Sequence, residues 1–278
     1  MPVDFKGIRW KEYNGALLPD APANTEIKLT KAERRKLAGK TGAYFIRWIS
    51  DWDRGKESSF WYVIKDSFGG MEELSSKMRN QVRKGYKNNI VEMIDAGRLK
   101  REGYNVFSKA YSRYGNLGNP FSEDEFRAWV DEMNGAGEYH FWAVFNSEAN
   151  KMAGFACNRI RGGECGYSSL KLDPVYMKNY ASYALLYEMN KYYLDDKGYD
   201  YINDGARSIL HDTNFQDFLI SKFNFRKAYC RLHVHYKFPA GAAVAVLYPF
   251  RKLLFRSDKI ASGKIGAVLN QEEMRRRS

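Results

Sequence analysis

The chain has 278 residues, of which 44% are hydrophobic and 28% charged, and its formal net charge is +12. This composition predicts a packed core in one large domain or two small ones. No apolar run reaches the roughly 20 residues of a membrane-spanning helix. The three cysteines are too few for a disulfide framework and lack the spacing of a metal site. We therefore predict a cytoplasmic protein with anionic partners, such as CoA, tRNA or an anionic membrane surface. A basic surface that only favours solubility is the alternative.

The first strong helix is predicted from Met71 to Lys87, after two strand-like runs, Ala43 to Ile49 and Ser58 to Lys65. Its apolar residues recur every four positions and predict a buried stripe: Leu74, Met78, Val82 and Tyr86. The other faces carry five cations: Lys77, Arg79, Arg83, Lys84 and Lys87. No acidic residue follows Glu73 in this helix, so we predict that these cations bind an anionic substrate. A solvated helix face is the alternative.

The middle of the chain contains the clearest loop, Asn116 to Pro120. A strand from Asn89 to Ile94 and a helix near Arg98 to Tyr114 precede it. A second helix, with Ser122 as its cap, follows. We place a boundary at residue 117. This predicts an N-terminal half (1–117), a C-terminal half (118–238) and a tail (239–278).

The segment from Gly154 to Gly205 has the most regular pattern. Two alternating strands flank Gly162-Gly163, a pair that supplies the positive φ angles of a tight hairpin. Asp173-Pro174 then predicts the start of a long helix that Lys197-Gly198 ends. A strand from Tyr199 to Asn203 follows, and Asp204-Gly205 ends it. The helix has one apolar face: Ala181, Ala184, Leu185, Met189, Tyr192 and Tyr193.

This order of strand, strand, helix and strand resembles the central part of the GNAT acyltransferase fold. Leu74 to Lys84 (LSSKMRNQVRK) and the Lys-Phe-x-Phe ending at Phe225 resemble segments of Fem-type proteins. Those proteins are tandem-GNAT transferases of cell-wall peptide bridges and exopolysaccharide assembly. The resemblance covers Trp61 to Lys237. It implies an α/β (α+β) fold with a GNAT-like mixed, largely antiparallel central sheet flanked by helices, in two GNAT-like halves.

The resemblance also implies the reaction. An acyl or aminoacyl group passes directly from an acyl-CoA or an aminoacyl-tRNA to an amine or hydroxyl of a cell-envelope or polysaccharide precursor, without a metal. The alternative is a non-catalytic protein that keeps the fold and binds an anionic polymer or a membrane surface.

The resemblance assigns a donor site to the end of one strand and to the start of the following helix. The family's Arg/Gln-x-x-Gly-x-Gly/Ala loop corresponds to Met177 through Ser182, and Tyr180 stands where the family has glycine. A tyrosine there is predicted to crowd the close approach of backbone to phosphate. The donor-site residues are Leu170, Lys171, Leu172, Lys178, Asn179, Tyr180, Ala181 and Ser182.

Three residues are candidates for proton transfer: Asp204, His211 and Tyr167. Asp204 lies at the lip of a predicted cleft between the last two strands of the Gly154–Gly205 segment. Its alternative role is a turn residue that accepts from its own backbone, and His211 has the alternative of a surface residue. The predicted substrate-binding cations are Lys77, Arg79, Arg83, Lys84 and Arg207.

The tail, residues 239–278, begins with the apolar stretch from Gly241 to Phe255, which Pro249 interrupts. The stretch is too short to span a bilayer. Basic residues follow it: Arg256, Lys259, Lys264, Arg275, Arg276 and Arg277. This pattern predicts either an element packed on the domain or on a second subunit, or a peripheral contact with an anionic membrane.

Overall fold

The computed structural model describes residues 2–112, 121–209 and 214–278. Its strands are β1 (Val3–Phe5), β2 (Ile8–Tyr13), β3 (Ala16–Pro19), β4 (Phe45–Ser50), β5 (Trp61–Lys65), β6 (Asn89–Ile94), β7 (Tyr139–Asn146), β8 (Lys151–Arg161), β9 (Glu164–Leu172), β10 (Tyr201–Ala206), β11 (Arg226–Tyr229) and β12 (Arg231–Tyr236). Its α-helices are α1 (Lys31–Gly39), α2 (Ser76–Asn88), α3 (Ala96–Tyr111), α4 (Glu123–Gly135), α5 (Ala181–Lys191), α6 (Asn214–Phe223), α7 (Ala240–Leu247), α8 (Arg251–Leu254), α9 (Asp258–Ala261) and α10 (Lys264–Arg276). Shorter turns of 3₁₀-helix cover Pro174–Asn179 and Tyr248–Phe250, and a π-helical turn covers Tyr192–Asp196.

The chain forms two compact units, each assembled from separate segments. The first unit comprises Met1–Val63, Ala206–Phe215 and Lys227–Ser278, and the second comprises Ile64–Gly205 and Gln216–Arg226. Strands β5, β10 and β11 and helix α6 each contain a division between the units. The boundary predicted at residue 117 lies outside the described residues.

The first unit is built on a five-stranded sheet with the order β1-β2-β3-β4-β12. Its neighbours pair antiparallel except β3 and β4, which are parallel. Trp10, Leu17 and Trp48 bury their side chains in its core together with Leu37 of α1. The thirteen-residue helix α10 contributes Met274 to a second cluster around Leu232.

The second unit contains a sheet with the order β10-β9-β8-β7-β6, in which only β9 and β10 are parallel. Helices α3 and α4 cover one face, where Leu99, Phe126 and Phe155 are fully buried. Helix α5 covers the other face: Tyr193, in the turn after it, accepts a hydrogen bond from Trp142 Nε1 at 2.8 Å. The mixed, largely antiparallel α/β fold predicted from the sequence is confirmed.

The hairpin between β8 and β9 forms as predicted. Gly162 and Gly163 have φ angles of 52° and 83°, and Ile160 pairs with Cys165. The predicted cap of α4 is also present, because the Ser122 side chain accepts from Glu125 N and the Glu125 carboxylate accepts from Ser122 N. All three cysteines are free and buried.

Three local predictions are wrong. The helix predicted after Asp173 is interrupted, because Tyr180 adopts a left-handed conformation between the 3₁₀ turn and α5. Tyr86 is 36% exposed rather than buried, since its hydroxyl donates to Glu188. Strand β10 continues through Asp204 and Gly205 to Ala206 instead of ending at Asn203.

The tail belongs to the first unit, and both of its halves contain buried residues. Leu269 and Met274 of α10 are buried, and Gln271 of this helix accepts from Arg47 Nη1 at 3.2 Å. The three arginines at the end of the chain pair with glutamates of the same helix: Arg275 and Arg276 with Glu272, and Arg277 with Glu273. In the part of the chain that is described, no helix is long and apolar enough to cross a membrane.

Candidate functional site

The predicted cleft corresponds to the point in the second unit where β9 and β10 separate. Their parallel pairing covers three positions among the described residues: Glu164 with Tyr201, Cys165 with Ile202 and Gly166 with Asn203. Beyond Gly166, β9 stays paired with β8 as far as Leu172, while β10 runs on to Ala206. The two strands therefore part at Asn203, and backbone groups of β9 on that side are left for another partner.

A β-bulge in β9 explains why the strands separate. Tyr167 pairs with Asn158 and Ser169 pairs with Cys157, so Ser168 is an extra residue in β9. A bulge bends its strand and increases the local twist, and this one directly follows the last position paired with β10.

The bulge also changes which face each β9 side chain uses. Asn158 and Cys157 are consecutive in β8 and lie on opposite faces, so their partners Tyr167 and Ser169 do too. The Tyr167 hydroxyl donates to Asn190 of α5 at 2.8 Å. The Lys171 ammonium lies 5.0 Å from the ring centre of Tyr111 of α3. The predicted donor-strand residues are therefore divided between the α5 face and the α3 face.

The closed end of the cleft is a buried polar cluster. The Glu164 carboxylate accepts from the Tyr201 hydroxyl at 2.6 Å and from Asn203 Nδ2 at 3.3 Å. Asn203 Oδ1 in turn accepts from Gly205 N at 2.7 Å, which fixes the end of β10. Sequence reasoning missed Glu164 and Asn190, since a glutamate after a Gly-Gly turn is ordinarily solvent-exposed.

Asp204 lies on β10 at the point where the strands have parted. Burial raises the pKa of its carboxyl to about 7, and a hydrogen bond from Gln216 of α6 acts in the opposite direction. Burial is also the main cause that raises the pKa of Tyr167 far above its ordinary value, with the charge of Asp204 as a smaller contribution. Asp204 can therefore take or give a proton near neutral pH, whereas Tyr167 remains a neutral phenol.

The two remaining predicted residues are His211 and Arg207. His211 is outside the described residues. Arg207 belongs to the first unit, where its guanidinium stacks 4.3 Å from the ring centre of Trp61 and donates to Ser59 O at 3.0 Å. Lys227 Nζ also lies 4.3 Å from the ring centre of Trp61.

The predicted donor loop is held by helix α2. Tyr180, the residue that replaces the family's glycine, has φ 59° and ψ 30°, a conformation that glycine adopts without strain. Asn89, at the end of α2, donates from Nδ2 to Asn179 O at 2.9 Å and to Gly85 O at 2.8 Å. The structure thus brings the loop together with a helix that lies about ninety residues earlier.

Gly85 explains how closely these elements approach. A Cβ at this position would lie 2.8 Å from the Tyr180 carbonyl oxygen and 3.1 Å from Ala184 of α5. Lys84, the preceding residue of α2, places its ammonium 5.8 Å from the Tyr180 ring centre. One predicted substrate-binding cation is therefore at the predicted donor loop.

The remaining cations of α2 differ in how they are held. Ser75 caps the helix by accepting from Met78 N at 3.3 Å. Arg79 folds back over this end and donates to Leu74 O at 2.7 Å and to Ser76 Oγ at 3.1 Å. Lys77, Arg83 and Lys84 are exposed. Over the described ranges, none of these four cations forms an ion pair, so the positive charge of α2 is available to an anion.

No group of three His, Cys, Asp or Glu side chains in the described residues is arranged to hold a metal ion.

Comparison with solved structures identifies the same fold in other proteins. FemX matches 82% of this chain and 84% of its own, at 12% identity and a TM-score of 0.55. The C-terminal domain of a proposed lysylphosphatidylglycerol synthetase from Agrobacterium fabrum matches 86% of this chain and 83% of its own, at 12% identity and a TM-score of 0.54. L-PGS from Bacillus licheniformis matches 90% and 86%, at 12% identity and a TM-score of 0.48.

No protein-family model and no curated protein matches the sequence. The predicted resemblance to Fem-type GNAT proteins is confirmed as a likeness of fold.

Proposed function

We propose that this protein is a transferase that moves an acyl or aminoacyl group directly from its donor to an amine or hydroxyl of a cell-envelope or polysaccharide precursor. The observation that carries the proposal is the parting of β9 and β10 with Asp204 at its lip. FemX and a proposed lysylphosphatidylglycerol synthetase share this fold, which favours an envelope acceptor over other amines.

The reaction needs four things from the chain. It must hold the donor, polarise the carbonyl, orient the acceptor and remove one proton. The acceptor amine or hydroxyl attacks the carbonyl carbon while Asp204 takes its proton, the bond to the donor's sulfur or ribose oxygen breaks, and Asp204 returns the proton to that leaving atom. A backbone N–H of β9, free of β10 beyond Gly166, polarises the carbonyl in the manner that the GNAT resemblance implies.

The donor is either an acyl-CoA or an aminoacyl-tRNA, and thermal unfolding of the purified protein separates the two. A ligand at about 100 times its dissociation constant stabilises a protein by about 2.7 kcal/mol. Stabilisation by acetyl-CoA or a longer acyl-CoA supports a thioester, acyl-CoA, as the donor. Stabilisation by aminoacyl-tRNA alone, weakening steeply as salt is added, supports the ester. If neither donor stabilises the protein and neither is turned over, the proposed reaction is wrong.

Replacing Tyr180 by glycine tests whether the donor loop binds a pyrophosphate. The change removes the strain of a left-handed tyrosine, about 1 kcal/mol, and also removes the contact of its ring with Tyr183. We expect the free energy of unfolding to change by less than about 1 kcal/mol. The affinity for CoA, measured by calorimetry, should rise roughly tenfold because the backbone can approach the phosphates.

Tyr183→Phe is the matched control for Tyr180→Gly, because it alters a neighbouring tyrosine without changing the backbone. An unchanged or lower affinity of Tyr180→Gly for CoA would exclude this loop as a pyrophosphate site.

A second candidate function rests on the cations of α2. A non-catalytic protein could use Lys77, Arg83 and Lys84 to hold an anionic polymer, since all three are exposed and none forms an ion pair among the described residues. Their replacement by glutamine should lower the affinity for an anionic polymer such as polyphosphate. The slope of the logarithm of affinity against the logarithm of salt concentration should become shallower by about the contribution of three charges.

The control for the α2 variant replaces three exposed lysines of the first unit, Lys28, Lys31 and Lys36, by glutamine. An enzyme should lose kcat/KM for its acceptor in the α2 variant, and a binding protein should lose association with no turnover to measure. Equal losses in the α2 variant and the control would show that only net charge matters.

A further inference from the structure

The start of the tail exposes an unusual amount of apolar surface in the first unit. Phe238, Val246, Phe250 and Leu253 have 88%, 65%, 60% and 61% of their surface exposed. We call these four side chains the apolar ridge. Monomeric proteins rarely leave several large apolar side chains of one segment in water, so the ridge marks a binding surface.

Buried residues between the members of the apolar ridge keep the four side chains exposed. Val244 and Tyr248 are buried, with 7% and 8% exposure, and they fix one side of α7 and of the 3₁₀ turn that follows. Two guanidinium groups lie close to the Tyr248 ring, with Arg251 at 4.1 Å and Arg276 at 4.0 Å from its centre. The segment is therefore anchored on its other side, and the ridge is not a consequence of loose packing.

The charges around the ridge indicate what covers it. From Lys237 to Ser257 the four charged residues are all cations, and no acidic residue occurs: Lys237, Arg251, Lys252 and Arg256. Lys252 and Arg256 are exposed, whereas Arg251 pairs with Glu273. Apolar side chains flanked by cations fit a surface with an apolar interior and anionic groups above it. A second copy of this surface would bring like charges together.

A basic concavity adjoins the ridge at Phe238. Arg35, His235, Lys237 and Phe238 line it together with Ala38, Gly39 and Tyr236, and its volume is about 370 Å³. Lys237 is oriented there by donating to Thr41 O at 2.8 Å. Phe238 belongs to both the apolar ridge and the lining of the concavity. If Phe238 lay among acyl chains, a lipid headgroup would therefore lie beside the concavity.

We propose that residues 237–256 bind the surface of a bilayer that contains anionic lipid. The apolar ridge enters the boundary between headgroups and acyl chains, and Lys252, Arg256 and the concavity around Lys237 contact the lipid phosphates. This surface belongs to the first unit and Asp204 to the second, so the proposal goes beyond the transfer reaction and does not depend on it.

The buried cysteines make a direct test practical. Cys157, Cys165 and Cys230 are all buried, so a cysteine introduced by Val246→Cys can be labelled selectively with a polarity-sensitive fluorophore. The matched control is Ile90→Cys, a 59% exposed position on β6 of the second unit. Vesicles of phosphatidylcholine containing phosphatidylglycerol should shift the emission of the probe at position 246 to the blue. Vesicles of phosphatidylcholine alone should do so much less, and the probe at position 90 should not respond.

Two double variants test the two parts of the surface by co-sedimentation with the same vesicles. Phe250→Ser with Leu253→Ser should lower partitioning onto anionic vesicles by roughly tenfold or more, because two large side chains no longer leave water. Lys252→Glu with Arg256→Glu should lower it by a similar factor, and the loss should shrink at high salt. Val175→Ser, at a 59% exposed position of the second unit, is the control and should bind as the unaltered protein does.

The thermal midpoints of these variants should stay near that of the unaltered protein, because all the altered side chains are exposed. An unshifted probe at position 246, or equal responses at positions 246 and 90, would overturn the proposal. So would a molar mass by light scattering that falls from dimer to monomer in Phe250→Ser with Leu253→Ser, without vesicle binding by either form, since a second copy would then cover the ridge.

Discussion

Replacing Asp204 by asparagine is expected to lower kcat/KM for acyl or aminoacyl transfer by at least about a hundredfold, since a positioned general base contributes roughly 10²–10⁴-fold. Asparagine has nearly the same shape and can keep the contact with Gln216, but it cannot accept a proton. The measurement is steady-state transfer to the acceptor with whichever donor stabilises the protein. The rate of the unaltered protein should rise with pH through about 7, where the Asp204 carboxyl titrates, and this step should be missing in the variant.

The same substitution should make the protein more stable at neutral pH. The pKa of Asp204 is about 7 in the folded protein against an ordinary value of 3.8. Between these values the unfolded chain releases the proton and the folded protein keeps it, so stability falls as pH rises from about 4 to 7 and then levels off. Asparagine removes this loss, and Asp204→Asn should gain about 2 to 4 kcal/mol at pH 8 and nothing below pH 4.

Two controls separate the chemistry of Asp204 from its surroundings. Asp195→Asn alters an exposed carboxylate of the same unit and should change neither rate nor stability. Tyr167→Phe keeps the ring and removes the hydrogen bond to Asn190. It should therefore lower the free energy of unfolding and leave the rise in rate near pH 7 in place. Full activity of Asp204→Asn, or a pH step that survives it, would remove Asp204 from the reaction.

Local signals account for the parts of the fold that could be predicted. The Gly162-Gly163 hairpin and the Ser122 cap depend on two to four neighbouring residues, and both form. The cleft could also be anticipated, because it follows from the order of elements shared with the GNAT fold. The bulge that sets its geometry at Ser168 has no signal in the sequence, since serine is ordinary in an exposed strand position.

Most of the contacts that local sequence signals do not indicate join residues that are distant in sequence or depend on burial. The four-residue spacing of apolar residues predicts that Tyr86 is in the core, yet its hydroxyl donates to Glu188, about a hundred residues away. The terminal arginines pair with Glu272 and Glu273 one turn earlier, at a spacing that is visible in the sequence. The departure at Tyr180 was noticed, but only the structure assigns it a left-handed backbone that favours glycine.

The packing of α2 on the donor loop has no signal in the sequence, and it leads to the second strong prediction. A glycine inside a helix is unfavourable by about 1 kcal/mol relative to alanine, so helix propensity does not explain why residue 85 is glycine. It is required because the Tyr180 carbonyl and Ala184 occupy the space where its Cβ would lie. Gly85→Ala should therefore destabilise the protein despite the gain in helix propensity.

We expect a net loss of about 1 to 2 kcal/mol, since overpacking costs about 1 to 3 kcal/mol and helix propensity returns about 1. Thermal unfolding should show a midpoint lower by roughly 2 to 8 °C. The matched control is Gly135→Ala at the end of α4, where an added Cβ meets nothing within 4 Å. That substitution should stabilise the protein by up to about 1 kcal/mol.

The Gly85→Ala substitution should also affect donor binding by the loop at Tyr180. Separating α2 from α5 moves Asn89 away from Asn179 O and Lys84 away from Tyr180, so binding of the donor should weaken in Gly85→Ala and stay unchanged in Gly135→Ala. If Gly85→Ala is as stable as the unaltered protein, α2 does not pack on α5 as closely as described. The expected weakening of donor binding would then have no structural basis.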